Sequence, residues 1–201
     1  SNLSAQLAVQ ADQIATKVSK TEFESLQIGG RNLLVNSSQE FRTITLNQFG
    51  GYNQYELIWQ KPLEKLGLKN GDYITLSMYF DDVSEENSVA MRFDFVREDN
   101  SYILSTGPRI TKPGRYSFTA KIPDNEEFVK LSIRLMPKDS QSNYGYQIKY
   151  KEAKLEKGNR ATDWTPAPED TQSQIDGLGS RMTTAARGRP CIEMGSRRTH
   201  E

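Results

Sequence analysis

The chain has 201 residues, room for one domain of ordinary size with appendages, and its 26 Lys plus Arg are balanced by 26 Asp plus Glu. That balance argues against a nucleic-acid binder that works by neutralising phosphates, and against a polybasic membrane anchor. With one cysteine, Cys191, and one histidine, His200, both in a C-terminal stretch without apolar period, a disulfide framework, a Ser-His-Asp or Cys-His site and a Cys/His zinc site are all excluded.

No stretch of about 18 apolar residues exists to cross a membrane as a helix. The first residues show no basic segment followed by an apolar one, although a mature or truncated chain would look the same. Residues 1–27 read as a helix. Leu7, Ala11, Ile14 and Val18 are spaced four, three and four apart, a heptad seam of under three heptads. Two readings stay open: an amphipathic helix packed on its own domain, or the remnant of a longer oligomeric coiled-coil stalk. Gly29 and Gly30 end it.

From residue 28 to 168 the period changes to two. Ile74, Leu76, Met78 and Phe80 alternate; so do Val89, Met91, Phe93 and Phe95; Tyr116, Phe118, Ala120 and Ile122; Val129, Leu131, Ile133 and Leu135; and Tyr146, Ile148 and Tyr150. Turn signals such as Asn70-Gly71 and Pro113-Gly114 separate them. Only 35% of the chain is hydrophobic, and a sandwich uses a thin core well because each strand buries alternate residues. The expected fold is all-β: an antiparallel β-sandwich, or jelly roll, preceded by the short helix. Leu33 and Leu34 are expected to enter the first strand. Ile175, Leu178 and Met182 suggest a second helix over 169–182, weakened by Gly177 and Gly179. Residues 183–201 read as a disordered or vector-derived tail, with a basic partner-binding tail as the alternative.

Two motifs carry a resemblance. One is Ile28-Gly-Gly-Arg-Asn-Leu-Leu34; the other runs from Ala153-Lys-Leu-Glu-Lys-Gly-Asn-Arg-Ala-Thr-Asp-Trp164 to Thr-Pro-Ala-Pro-Glu-Asp170. Together they resemble the opening and closing of carbohydrate-binding-module-like domains in tail-fibre, tail-tip and baseplate proteins of phages and prophages of Gram-positive bacteria. The likeness covers residues 1 to about 182. It implies a jelly roll set between coiled-coil stretches, in a virion tail working at the host cell surface. The implied partners are host cell-wall polysaccharide, other tail proteins, and further copies through an N-terminal homotrimer. No nucleic acid or membrane partner is expected, and no cofactor beyond a structural Ca2+, an option the resemblance raises.

A sugar site needs an exposed aromatic ring beside groups that make paired hydrogen bonds. If Met78, Phe93 and Ile133 point inward, then Tyr79, Arg92, Asp94 and Arg134 point outward. Arg92, Asp94 and Arg134 then form either a polar groove floor or a cross-strand charge network on a solvated face. Tyr79 is the candidate platform. Tyr52, Tyr55 and Trp59 are candidates for the rim, Trp59 equally for the core. Tyr144 and Tyr146 are either a second rim or packing residues. Asp81, Asp82, Glu85 and Glu86 make an acidic loop, read as a solvated turn or as oxygen ligands for structural Ca2+. Three function classes remain: a saccharide-binding module, a ligand-free fibre spacer, and, with only unplaced carboxylates in its favour, a cell-wall glycosidase.

Overall fold

In a computed structural model of the protein, the described residues are 27, 29–46, 56–137 and 145–187. The heptad segment and the tail beyond Arg187 lie outside them. The chain divides between Ala167 and Pro168 into two units. The first is an eight-stranded antiparallel sandwich. Its strands are β1 (Arg42–Leu46), β2 (Glu56–Pro62), β3 (Tyr73–Asp81), β4 (Ala90–Val96), β5 (Tyr102–Thr106), β6 (Gly114–Lys121), β7 (Lys130–Met136) and β8 (Tyr146–Lys157). One sheet has the order β1-β8-β3-β6 and the other β2-β7-β4-β5. Every connection except the β4–β5 hairpin crosses between sheets, which is the jelly-roll arrangement. The second unit contains helix α1 (Pro168–Arg187), which runs five residues past the Met182 end expected from the sequence.

The alternating residues meet between the sheets. Ile74, Leu76, Met78 and Phe80 of β3 are fully buried, as are Phe93 of β4 and Leu131, Ile133 and Leu135 of β7. Phe93 stacks on Phe118 of β6, with ring centroids 5.2 Å apart, so one aromatic contact joins the two layers. Gly107 makes room for it: a Cβ there would lie 2.9 Å from the Phe118 ring. The Arg97–Ser101 turn closes β4 to β5 through Arg97 N–H donating to Ser101 O at 2.8 Å.

The incoming chain departs from expectation. Leu33 and Leu34 enter no strand; the first strand begins at Arg42. Residues 29–34 instead run beside β8, with Leu33 N–H donating to Leu155 O at 2.8 Å. The reason is Asn32, which is fully buried. Its Oδ1 accepts from Leu34 N–H at 3.0 Å and Leu155 N–H at 3.2 Å. Its Nδ2 faces Ser37 Oγ, Ala153 O and Thr165 O at 3.0–3.2 Å. One side chain thus ties the incoming segment, the last strand and the outgoing segment. Gln27 and Asn159 add a second tie: Gln27 N–H donates to Asn159 Oδ1 at 2.9 Å and Asn159 N–H to Gln27 O at 2.8 Å. Backbones come this close only over glycine. A Cβ on Gly29 would sit 2.1 Å from Lys157 O, and one on Gly158 2.2 Å from Gln27 O.

Asn32→Ala strands two buried backbone donors, each costing about 1–3 kcal/mol. The expected loss is about 2–5 kcal/mol, read as a lower urea midpoint at unchanged slope. A midpoint equal to wild type would show that the clasp does not contribute to stability.

The outgoing segment folds back over the outer face of the β1-β8-β3-β6 sheet. Lys154 and Glu156 of β8 are outward residues, yet their side chains are 1% and 0% exposed. Lys154 Nζ donates to Thr162 Oγ1 at 2.6 Å and to Asp163 O at 2.7 Å. Glu156 accepts from Thr162 N–H and Thr162 O–H, both at 2.8 Å. Trp164 Nε1 donates to Ser37 Oγ at 2.7 Å. The closing motif of the sequence is therefore a strap, built from the polar residues of one strand and the segment that follows it.

Candidate functional site

The groove expected from the sequence does not form, because its members stand on opposite faces of the sandwich. Tyr79 lies on β3, in the β1-β8-β3-β6 sheet. Arg92 and Asp94 lie on β4 and Arg134 on β7, in the other sheet. Both sets point outward, so the whole thickness of the core separates them.

In the Arg92–Asp94–Arg134 set, Asp94 sits between two guanidiniums. Arg92 and Arg134 face each other across the β4–β7 ladder, a pairing of like charges that costs energy unless neutralised. Asp94 neutralises it. Arg92 Nε and Nη2 reach Asp94 Oδ1 and Oδ2 at 2.6 and 3.1 Å, a bidentate fork. Arg134 Nε lies 2.8 Å from Oδ2. Side-chain exposures of 15%, 3% and 10% for Arg92, Asp94 and Arg134 show a covered ion cluster and not a solvated face. The same face carries Tyr102 and Leu104 on the edge strand β5, both well exposed. Sequence reasoning missed them because Tyr102-Ile-Leu104 is apolar without a break and hides the period.

The opposite face carries a second aromatic group, set among charged side chains. Phe41 is 43% exposed and meets the Tyr79 ring edge to face at 6.0 Å between centroids. Lys151 Nζ stands over both rings, 4.9 Å from the Phe41 centroid and 5.4 Å from that of Tyr79. A β-bulge makes this possible. The β3–β8 register slips between Ser77 and Tyr79, and Glu152 takes a positive φ of 53°. Its N–H leaves the ladder and donates to Ser38 O at 2.7 Å. Its carboxylate holds Arg115 Nη1 at 2.9 Å.

Beside the bulge lies a cavity of about 110 Å3. Its buried lining is Leu34, Tyr150 and Ala153, with Leu57 half-buried and Val35 exposed. Its polar lining includes Ser38, Glu40, Arg42 and Glu152. Lys151 is common to the cavity lining and to the cation over the two rings, while the register sets Arg42 opposite Tyr150, on the core side of β8 from Lys151.

The remaining sequence candidates fall elsewhere. Tyr146 packs against the core, and its hydroxyl donates to Ser88 O, which is a packing role. Trp59 belongs to β2 and not to a rim loop; its side chain, like Tyr52, Tyr55 and Tyr144, lies outside the described residues. In the acidic loop, Asp82 pairs with Lys149 at 2.8 Å, and that hydrogen bond raises the Lys149 ammonium above its usual pKa. Among the described residues no three His, Cys, Asp or Glu side chains converge as metal ligands.

No family model and no curated protein matches the chain. Among solved structures, it is similar to the tripod (BppUct-A-L) of the bacteriophage Tuc2009 baseplate, at 18% identity over 72% of this chain, with a TM-score of 0.39. It spans 61% of that baseplate chain. It is also similar to the CBM22-1 xylan-binding domain of Paenibacillus barcinonensis Xyn10C, at 8% identity over 68% of this chain and 96% of that one, with a TM-score of 0.38. A third similar structure is the VP2 subviral particle of infectious bursal disease virus, at 13% identity over 64% of this chain and 35% of that one, with a TM-score of 0.34.

Proposed function

We propose that the sandwich is a non-catalytic saccharide-binding domain of a phage tail adhesion device, working at the host cell surface. The observation that carries this is the exposed Phe41 ring, with the half-buried Tyr79 ring at its edge and Lys151 Nζ over both, on a face that also presents Arg115 and Glu152. A pyranose has one weakly apolar face and an equator of hydroxyls. The rings offer that face a surface, and Lys151, Arg115 and Glu152 offer donors and acceptors around it. The opening and closing motifs, which resemble those of tail-protein modules, supply the setting. In that setting the partners are host cell-wall polysaccharide and other tail proteins, with copies joined through the N-terminal segment so that weak contacts gain avidity.

The test is a titration of the protein with cell-wall polysaccharide extracted from Gram-positive hosts. Wild type is expected to bind without releasing reducing ends. Phe41→Ala and Tyr79→Ala are each expected to weaken binding about tenfold or more. Wild type that binds no host polysaccharide would leave the spacer reading in place, and accumulating reducing ends would restore the glycosidase.

A further inference from the structure

We infer that the cavity beside the aromatic platform is an acetamido subsite, so that the ligand is an N-acetylated amino sugar. The inference rests on the saccharide-binding reading and narrows it. The cavity is too small for a pyranose ring. At about 110 Å3 it holds the share of roughly three or four waters, the room of one short side group. Its lining is amphipathic. Leu34, Leu57 and Tyr150 are the covered part, and Val35 extends the apolar surface outward. The polar part is supplied by Ser38, Glu40, Arg42 and Glu152.

At C2, where an amino sugar carries its acetamido group, a plain hexose has a hydroxyl, and a hydroxyl seated on Leu34 and Leu57 loses water without gaining a partner. An acetamido group matches both halves. Its methyl takes the apolar lining, its N–H suits a carboxylate such as Glu40 or Glu152, and its carbonyl suits a guanidinium or a serine hydroxyl. The cavity is also held in shape without ligand. Glu152 N–H is fixed to Ser38 O at 2.7 Å, Glu40 N–H to Ser38 Oγ at 2.9 Å, and Arg42 Nη2 to Asn36 O. A preformed subsite loses little to ordering on binding. Lys151 is the one residue shared by the cavity lining and the ring platform.

The experiment compares methyl glycosides of N-acetylglucosamine, N-acetylgalactosamine and N-acetylmannosamine with those of glucose, galactose and mannose. Affinity is read from amide shifts of the whole chain during titration. At least one acetamido sugar is expected to bind about tenfold tighter than its parent hexose, the value of one buried methyl and one hydrogen bond. The largest shifts are expected at Ser38, Leu57 and Glu152. Val35→Phe, at an exposed position, fills the cavity and leaves the platform; it is expected to abolish the preference while hexose binding persists. Equal affinities for acetamido sugars and parents would overturn the subsite and leave the saccharide reading intact. A preference that survives Val35→Phe would also overturn it. No binding by any of the six sugars or by host polysaccharide would remove both.

Discussion

Glu156→Gln is expected to destabilise the sandwich by about 3–5 kcal/mol, a large part of the stability of a domain this size. The substitution keeps the shape and removes one charge. It leaves the Lys154 ammonium, 1% exposed, without its counter-charge 3.8 Å away. It also sets an amide nitrogen against Thr162, whose N–H and O–H both donate to Glu156 now. Water cannot reach the site, so the lost charge is not replaced by solvation. The urea midpoint should fall, and protease should cut the strap over residues 159–167 before it cuts the strands. Lys154→Met combined with Glu156→Leu should recover much of the loss, because removing both charges leaves none stranded. If the double variant were as unstable as the sum of the singles, the two residues would not be coupled, and the strap would be held by its backbone alone.

Asp94→Asn is the second large effect, expected at about 3–5 kcal/mol for the same reason with the signs reversed. Asp94 is the anion between two guanidiniums that the β4–β7 register places opposite each other. Without its charge, Arg92 and Arg134 repel at short range in a poorly solvated place. Arg92→Met and Arg134→Met in the Asp94→Asn background should restore stability. Asp94→Asn that remains folded should bind saccharide as wild type does, since the cluster and the Phe41 platform lie on opposite faces. Lost binding at full stability would move the sugar to the β2-β7-β4-β5 face.

That division between faces marks what the sequence can reveal. Alternation in Ile74–Phe80 or Leu131–Leu135 reports which residues of one strand are inward, because side chains change sides at every step. It is blind to which sheet the strand joins. Tyr79 and Arg92 both read correctly as outward, and the β3–β4 crossing then put them on opposite outsides. Strands β1 and β2 were hidden for other reasons. Arg42–Leu46 offers only Ile44 and Leu46 as a pattern, and β2 is interrupted by register shifts on both sides of Ile58. The Glu152 bulge that shapes the cavity leaves no mark a period of two can show. Lys154 and Glu156 were unreadable as core, because charged outward residues are ordinarily solvated; only the strap buries them. The closing motif could be recognised by its composition, and its chemistry became legible once Thr162 was seen to return to β8.

The Gln27–Asn159 tie has a mechanical meaning. Gln27 and Asn159 meet side by side, so a pull on the two flanking segments would be borne by this tie and by the Asn32 junction. The eight strands would hang beside the line of force and not within it. Under the adhesion role proposed above, such a load would spare the sheet that carries Phe41 and Tyr79.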